Sequence, residues 1–224
     1  MTNPTDTAHQ AWNDAWRSPE RRAAWETPAP DVAALAEELR RRDGFRRMLD
    51  VGCGVGRHAL LGARLGFEVV ATDLAEAGIA ELARKAAAEG LGIATRIAPI
   101  TALPFAEAAF DFVLAFNVVY HGDGAIVAAA LAEIGRVLRP GGVVQATMLS
   151  KRNVLFGQGS EVAADTFVNT AGSDKMHPHF YCNAAELVAL LRGFELLSLQ
   201  DIDHTGRGHW HWHLVAERAA RAPE

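Results

Sequence analysis

Three glycines at alternate positions, Gly52, Gly54 and Gly56, follow a short apolar run that ends in Asp50. Glycine accepts positive φ and lets a ligand touch the backbone. An Ala/Leu-rich helical pattern takes over from Ala59, so the stretch predicts strand, tight turn and helix N-terminus. Free N–H groups and the positive dipole end then point at one spot, where an anion or carboxylate belongs. Arg57 follows the loop directly and is a candidate partner for such an anion. A second apolar run, Glu68 to Thr72, ends in Asp73, the position at which a carboxylate meets ribose hydroxyls in doubly wound folds.

The other chemistry-bearing residues are histidines. His121 follows Asn117 and Tyr120 at the end of an apolar strand pattern, and its ordinary pKa near neutrality makes it the first candidate for a general base. His177 and His179, with Tyr181 just after, close a long segment rich in Gly, Ser, Asn and Asp. His209, His211 and His213 alternate along a predicted strand, with Trp210 and Trp212 on its other face. Together with His177, His179 and His204 they could form a metal site, since imidazole suits transition metals. Strand neighbours at that period nevertheless stand roughly 7 Å apart, and the spacing matches no standard zinc pattern. The expected metal complement is therefore none, and the histidines are expected to line a polar pocket.

The elements that must position these groups alternate. Strands are predicted at Arg47–Val51, Glu68–Asp73, about 94–97, 110–116 and after Pro140-Gly141-Gly142 up to Met148. Helices follow to about Leu65, over about 75–89 and over Ala125–Leu138. Asp31 is expected to cap a further helix that closes before Gly44. Strands alternating with helices of these lengths predict an α/β fold, a doubly wound, largely parallel sheet. Residues 149–182 read as a long loop, which in compact domains is usually a functional cover. A capping box at Asn183 and Glu186 starts a last helix, and strands at 194–201 and 209–217 follow. Trp12 and Trp16, four apart, share a face of an N-terminal helix and, with Trp25, predict a lid over a substrate pocket within residues 1–30.

Composition narrows the function. The 224 residues suit one domain, and half of them are apolar. A net charge of −5 argues against a nucleic-acid or anionic-membrane partner. No apolar run reaches spanning length. Two cysteines, Cys53 and Cys182, and a polar N-terminus without signal-peptide character point to the cytoplasm. Oligomeric state has no signature in the sequence.

With Asp50-Val-Gly-Cys-Gly-Val-Gly, Asp73, Leu103-Pro104-Phe105, Phe110-Asp111-Phe112-Val113 and Arg136-Val-Leu-Arg-Pro-Gly-Gly142 in view, the chain resembles the class I S-adenosylmethionine-dependent methyltransferases. Gly56-Arg57-His58 looks most like the small-molecule branch that includes tellurite-resistance methyltransferases. The resemblance covers about residues 45–150. It implies a seven-stranded mixed, Rossmann-like sheet with one antiparallel strand, closed by a terminal hairpin. It further implies S-adenosylmethionine as cofactor, S-adenosylhomocysteine as product and a small-molecule methyl acceptor. It assigns Asp50, Gly52, Cys53, Gly54 and Gly56 to the methionine and ribose side. Asp73 goes to the ribose hydroxyls, Leu74 to the adenine face, and Asn117 to the methionine amino group. Relatives commonly carry Gly-Asp-Ala before Leu-Pro-Phe, where this chain has Ala98-Pro99-Ile100. Adenine recognition then falls to Ile100, Thr101 and packing, since Pro99 has no N–H to donate.

On this basis His121, Tyr120, His177 and His179 are the catalytic candidates, and Trp12, Trp16, Arg57 and Tyr181 the substrate contacts. The acceptor is either an oxyanion or thiol, or an amine or hydroxyl compound. Two alternatives stand beside the enzyme: a nicotinamide-binding Rossmann oxidoreductase, disfavoured by the glycine spacing, and a catalytically silent cofactor-binding protein.

Overall fold

The computed structural model describes residues 7–42, 44–169, 176–204 and 206–220. Parts of the N-terminal segment (1–6) and of the long segment (170–175) lie outside them. Strands β1 (Arg47–Val51), β2 (Glu68–Asp73), β3 (Ile93–Ile97), β4 (Phe110–Ala115) and β5 (Leu138–Ser150) run parallel in the order β3-β2-β1-β4-β5. Between β5 and β9 (Phe194–Asp203) lies β10 (Trp210–Arg218), antiparallel to both. These seven strands are the expected mixed sheet.

Helices cover both faces because the central strands are apolar on both. Along β4, Phe112 and Leu114 join one core with Val32, Ala36 and Leu39 of α3 (Pro30–Arg41), Leu60 of α4 (Arg57–Arg64) and Leu82 of α5 (Glu76–Glu89). Their neighbours Val113 and Ala115 join the other, with Val127, Leu131 and Ile134 of α6 (Gly124–Val137) and Leu187 of α7 (Ala184–Leu190). That alternation is the period of two that a strand buried on both sides must show. Asp123 caps α6 through the N–H groups of Ala125 and Ile126, and the capping box at Asn183 and Glu186 is present.

Three expectations are corrected. The segment 149–182 is not simply a loop. It contains β6 (Ser160–Ala163), β7 (Thr166–Val168) and β8 (His179–Cys182), which bring the sheet to ten strands. These strands are too short to show a period, but Phe167, Tyr181 and Cys182 are buried in the core. Lys151 anchors the segment through Asp165 at 2.9 Å and Glu186 at 2.7 Å. The Pro140-Gly141-Gly142 turn is absorbed into β5 as an irregularity in its pairing with β4. Finally, Asp31 does not cap α3, whose first turn begins at Pro30 after Ala29.

At the N-terminus, α1 (Ala8–Arg17) and α2 (Pro19–Ala23) lie over the start of α5, where Asn13 Oδ1 accepts the Ala77 N–H at 2.9 Å. Among the described residues no helix is long and apolar enough to cross a membrane.

Candidate active site

The loop between β1 and α4 is built on positive φ at Gly52 (64°), Gly54 (52°) and Gly56 (83°). A Cβ at Gly52 would stand 2.2 Å from Val118, and one at Gly54 2.9 Å from the Trp16 ring. Glycine is required there for close approach as well as for φ. Gly56 faces Leu82 of α5 instead, so it packs the helix rather than lining the crevice.

Two carboxylates flank the loop. Asp73 is fixed by the N–H groups of Gly54 and Ala75, each at 2.8 Å on a different oxygen. Each oxygen keeps a lone pair for another donor. Burial pushes the Asp73 carboxyl above its ordinary value, against the pull of those N–H groups. Asp50 is 2% exposed, and its Oδ2 has no hydrogen-bond partner. Burial, and then the like charge of Asp73, push Asp50 up to about 7, with Arg57 opposing.

Arg57 donates to the Thr27 carbonyl at 3.1 Å and lies over Trp25 (5.1 Å) and Phe116 (5.6 Å). Next to it, His58 Nε2 accepts the Ala29 N–H at 3.1 Å. Burial, reinforced by the Arg57 charge, holds His58 neutral, with its pKa pushed down to about 3. Cys53 is buried, which pushes its thiol up and keeps it protonated.

The N-terminal indoles roof this floor. Trp12 and Trp16 stack at 4.9 Å, and Trp25 meets both edge-on. The indole N–H groups of Trp12 and Trp16 are buried without an acceptor. Trp12 also stacks on His121, with centroids 6.1 Å apart.

One cavity gathers most of the expected residues: Trp12, Trp16, Asp50, Gly52, Cys53, Gly54, Arg57, Asp73, Leu74, Ile100, Asn117 and His121. Besides Gly56, five expected residues fall outside it. Thr101 sits in the turn after Pro99. Tyr120 is buried beside His121, in edge-on contact. Tyr181 is paired with Leu149 of β5 and packed into the core against Phe156 and Phe167. His177 and His179 are buried in a cluster with His121 rather than on the cavity wall.

One connection has no local signal in the sequence. Asn117, in a left-handed conformation (φ 59°), exchanges hydrogen bonds with Thr147 at 2.8 and 3.0 Å. Its Nδ2 lies 3.2 Å from His204 Nε2, His204 Nδ1 lies 2.8 Å from His213 Nε2, and His213 Nδ1 lies 2.9 Å from Asp31 Oδ2. A carboxylate only accepts, so His213 donates to Asp31 through Nδ1. The run of contacts links a half-exposed acid on α3 to the tip of β4. Burial pulls the Asp31 carboxyl up, but the hydrogen bond and charge of His213 leave it below its ordinary value.

Comparison with known proteins adds the family context. Residues 48–142 match the "Methyltransferase domain" family model. A ubiquinone biosynthesis O-methyltransferase of Methylocella silvestris is 41% identical over 105 residues, which cover 47% of this chain and 40% of that enzyme. The chain thus spans about two fifths of the length of such curated relatives. Among solved structures, the 1,6-didemethyltoxoflavin-N1-methyltransferase of Burkholderia thailandensis, with bound S-adenosylhomocysteine, superposes with a TM-score of 0.69 at 22% identity, covering 98% of this chain and 93% of that one. TehB from Haemophilus influenzae gives 0.62 at 20% identity, covering 85% and 62%. At these identities the structural matches establish the fold.

Proposed function

We propose that this chain, which carries a class I S-adenosylmethionine-dependent methyltransferase domain at residues 48–142, moves a methyl group from that cofactor to a small-molecule acceptor. The observation that supports this best is Asp50, a buried carboxylate with an unsatisfied oxygen on the wall of the glycine-loop cavity. Such an oxygen is costly unless a cation or donor meets it. The ammonium of the cofactor's amino-acid end is a suitable partner.

The neighbouring groups fit the rest of the cofactor. Asp73 keeps one lone pair per oxygen for two ribose hydroxyls, and Leu74, Ala98 and Ile100 offer apolar surface for the adenine. The buried indole N–H groups of Trp12 and Trp16 supply donors for its oxygens. When bound, S-adenosylmethionine supplies an electrophilic methyl group on a sulfonium. The protein's task is then alignment and exclusion of water.

His121, on the cavity wall under Trp12, takes the acceptor's proton as general base. Asn117 is held in place by Thr147 and by the imidazole chain to Asp31. Arg57 offers a cation to an acidic acceptor. The N-terminal helices, whose indoles roof the cavity, act as the lid, and the segment 149–182 borders the acceptor side, so the chain works as one catalytic unit. The acidic net charge supports a small acceptor over a nucleic acid. The O-methyltransferase relative supports testing hydroxyl compounds before thiols, amines and oxyanions.

The test is calorimetric titration with S-adenosylhomocysteine, run beside NAD. One-site binding of the former alone is expected, and heat from NAD alone overturns the proposal. A labelled-methyl screen then identifies the acceptor. His121→Asn should lower turnover more than tenfold while leaving S-adenosylhomocysteine affinity unchanged.

A further inference from the structure

His121, His177 and His179 come from segments 56 or more residues apart in sequence, yet one ligand atom from each lies within 4.8 Å of the others. Their ring centroids are 4.3 to 4.9 Å apart. His177 and His179 are 3% and 1% exposed. We propose that these three imidazoles bind one divalent transition-metal ion of the zinc type at the acceptor side of the cavity.

Backbone pairing sets their positions before any ion arrives. His121 and His179 form an antiparallel bridge, the Gly122 N–H donates to the Pro178 carbonyl at 3.0 Å, and the Phe180 N–H donates to the Tyr120 carbonyl at 2.9 Å. Pro178, with its fixed φ, holds His177 and His179 on the two sides of one rigid residue.

The tautomer of His179 is also set. Its Nδ1 lies 2.7 Å from the His177 carbonyl oxygen, which can only accept, so Nδ1 carries the proton and Nε2 carries the lone pair. Metal-bound histidines show the same pattern, the second ring nitrogen donating to a carbonyl or carboxylate.

Tetrahedral zinc with Zn–N near 2.0–2.1 Å needs nitrogens about 3.3 Å apart. The present separations, up to 4.8 Å, are wider, so binding would draw the three rings together. Three protein ligands leave a fourth position, and His121 also lines the cavity; with the ion bound His121 is a ligand and no longer the free base, and a hydroxyl or thiol acceptor taken at the fourth position would lose its proton through coordination instead. The strand histidines His209, His211 and His213 are not part of this site. In the sequence His177 and His179 are candidate ligands alongside them, and the fold brings those two to His121 instead.

The experiment uses the full chain and Zn²⁺ alone, without cofactor, so its result is independent of the methyltransferase proposal. Calorimetry should show saturable one-to-one binding. His177→Asn and His179→Asn should each weaken it more than about tenfold, and His213→Asn should leave it unchanged. X-ray absorption at the zinc edge of the unmodified chain should show nitrogen neighbours at about 2.0–2.1 Å with imidazole scattering, an outcome that does not depend on how the variants fold. A site without imidazole scattering, or affinity undiminished in both His177→Asn and His179→Asn, overturns the proposal.

Discussion

Asp50 makes the stability of the ligand-free protein depend on pH in an unusual direction. Its carboxyl stands near 7 in the folded chain, against an ordinary 3.8. Between those values the folded state holds a proton that the unfolded state has released, so stability falls as pH rises through the window. Each pKa unit is worth about 1.4 kcal/mol. A shift of roughly three units therefore amounts to about 4 kcal/mol in all, of which about 3 kcal/mol falls between pH 5 and pH 8. Asp50→Asn removes this titration while keeping the shape. In urea unfolding at half-unit pH steps, the variant should gain on the parent by about 3 kcal/mol between pH 5 and 8. Taking the difference between the two chains cancels the salt-bridged acids, which shift the other way, while Asp73, coupled to Asp50 by like charge, adds a change of the same sign. A second readout follows from the proposed ligand. Its ammonium end favours ionised Asp50, so cofactor affinity should fall about tenfold per pH unit below 7 in the parent and stay flat in the variant. Parallel stability curves for parent and variant would refute the burial argument.

His58 has the opposite sign. Its folded value near 3 lies below the ordinary 6.5, so the unfolded chain takes up the proton first and stability is lost as pH falls below 6.5. Relative to His58→Gln, the parent should lose about 2 kcal/mol more between pH 7 and pH 5, and equal losses in denaturant midpoints would count against it. Gly54→Ala puts a Cβ at φ 52° and 2.9 Å from Trp16. Calorimetry should show S-adenosylhomocysteine affinity down at least tenfold, while unchanged affinity would remove the loop from the site. Asn117→Ala forces an ordinary residue into the left-handed region and cuts the side-chain hydrogen bonds to Thr147 and His204, while the backbone N–H still reaches Thr147. The expected loss is about 2 kcal/mol, and a melting curve unmoved by the change would argue against that strain.

Local signals carried much of the fold. The run Met48–Val51 followed by alternating glycines has one structural solution, and Phe110–Ala115, apolar on both faces, had to be an inner strand. Asn183 and Glu186 wrote their own helix start. The contacts that complete the site are long-range. Asp31 resembled a cap by its place before Val32, yet its partner, His213, lies 182 positions away. Tyr181 and His179 sit two residues apart on β8, and only the finished sheet decides that one fills the core while the other meets His121. Short strands such as β7, three residues long, carry too few positions for a period to be visible.

The placement of β10 bears on how the protein is made. β10, which follows β9 in the chain, is inserted between β5 and β9 rather than added at an edge, and it carries His213, which closes the chain from Asp31 to Asn117. At about 5–20 residues per second, the ribosome needs roughly 3–12 s to pass from the end of β5 to the start of β10. Throughout that interval the long apolar edge of β5 has no antiparallel partner, which is the situation that chaperones meet on nascent chains. Assembly of the site therefore waits for β10: a ribosome stalled before it displays a glycine loop but not the imidazole chain behind it.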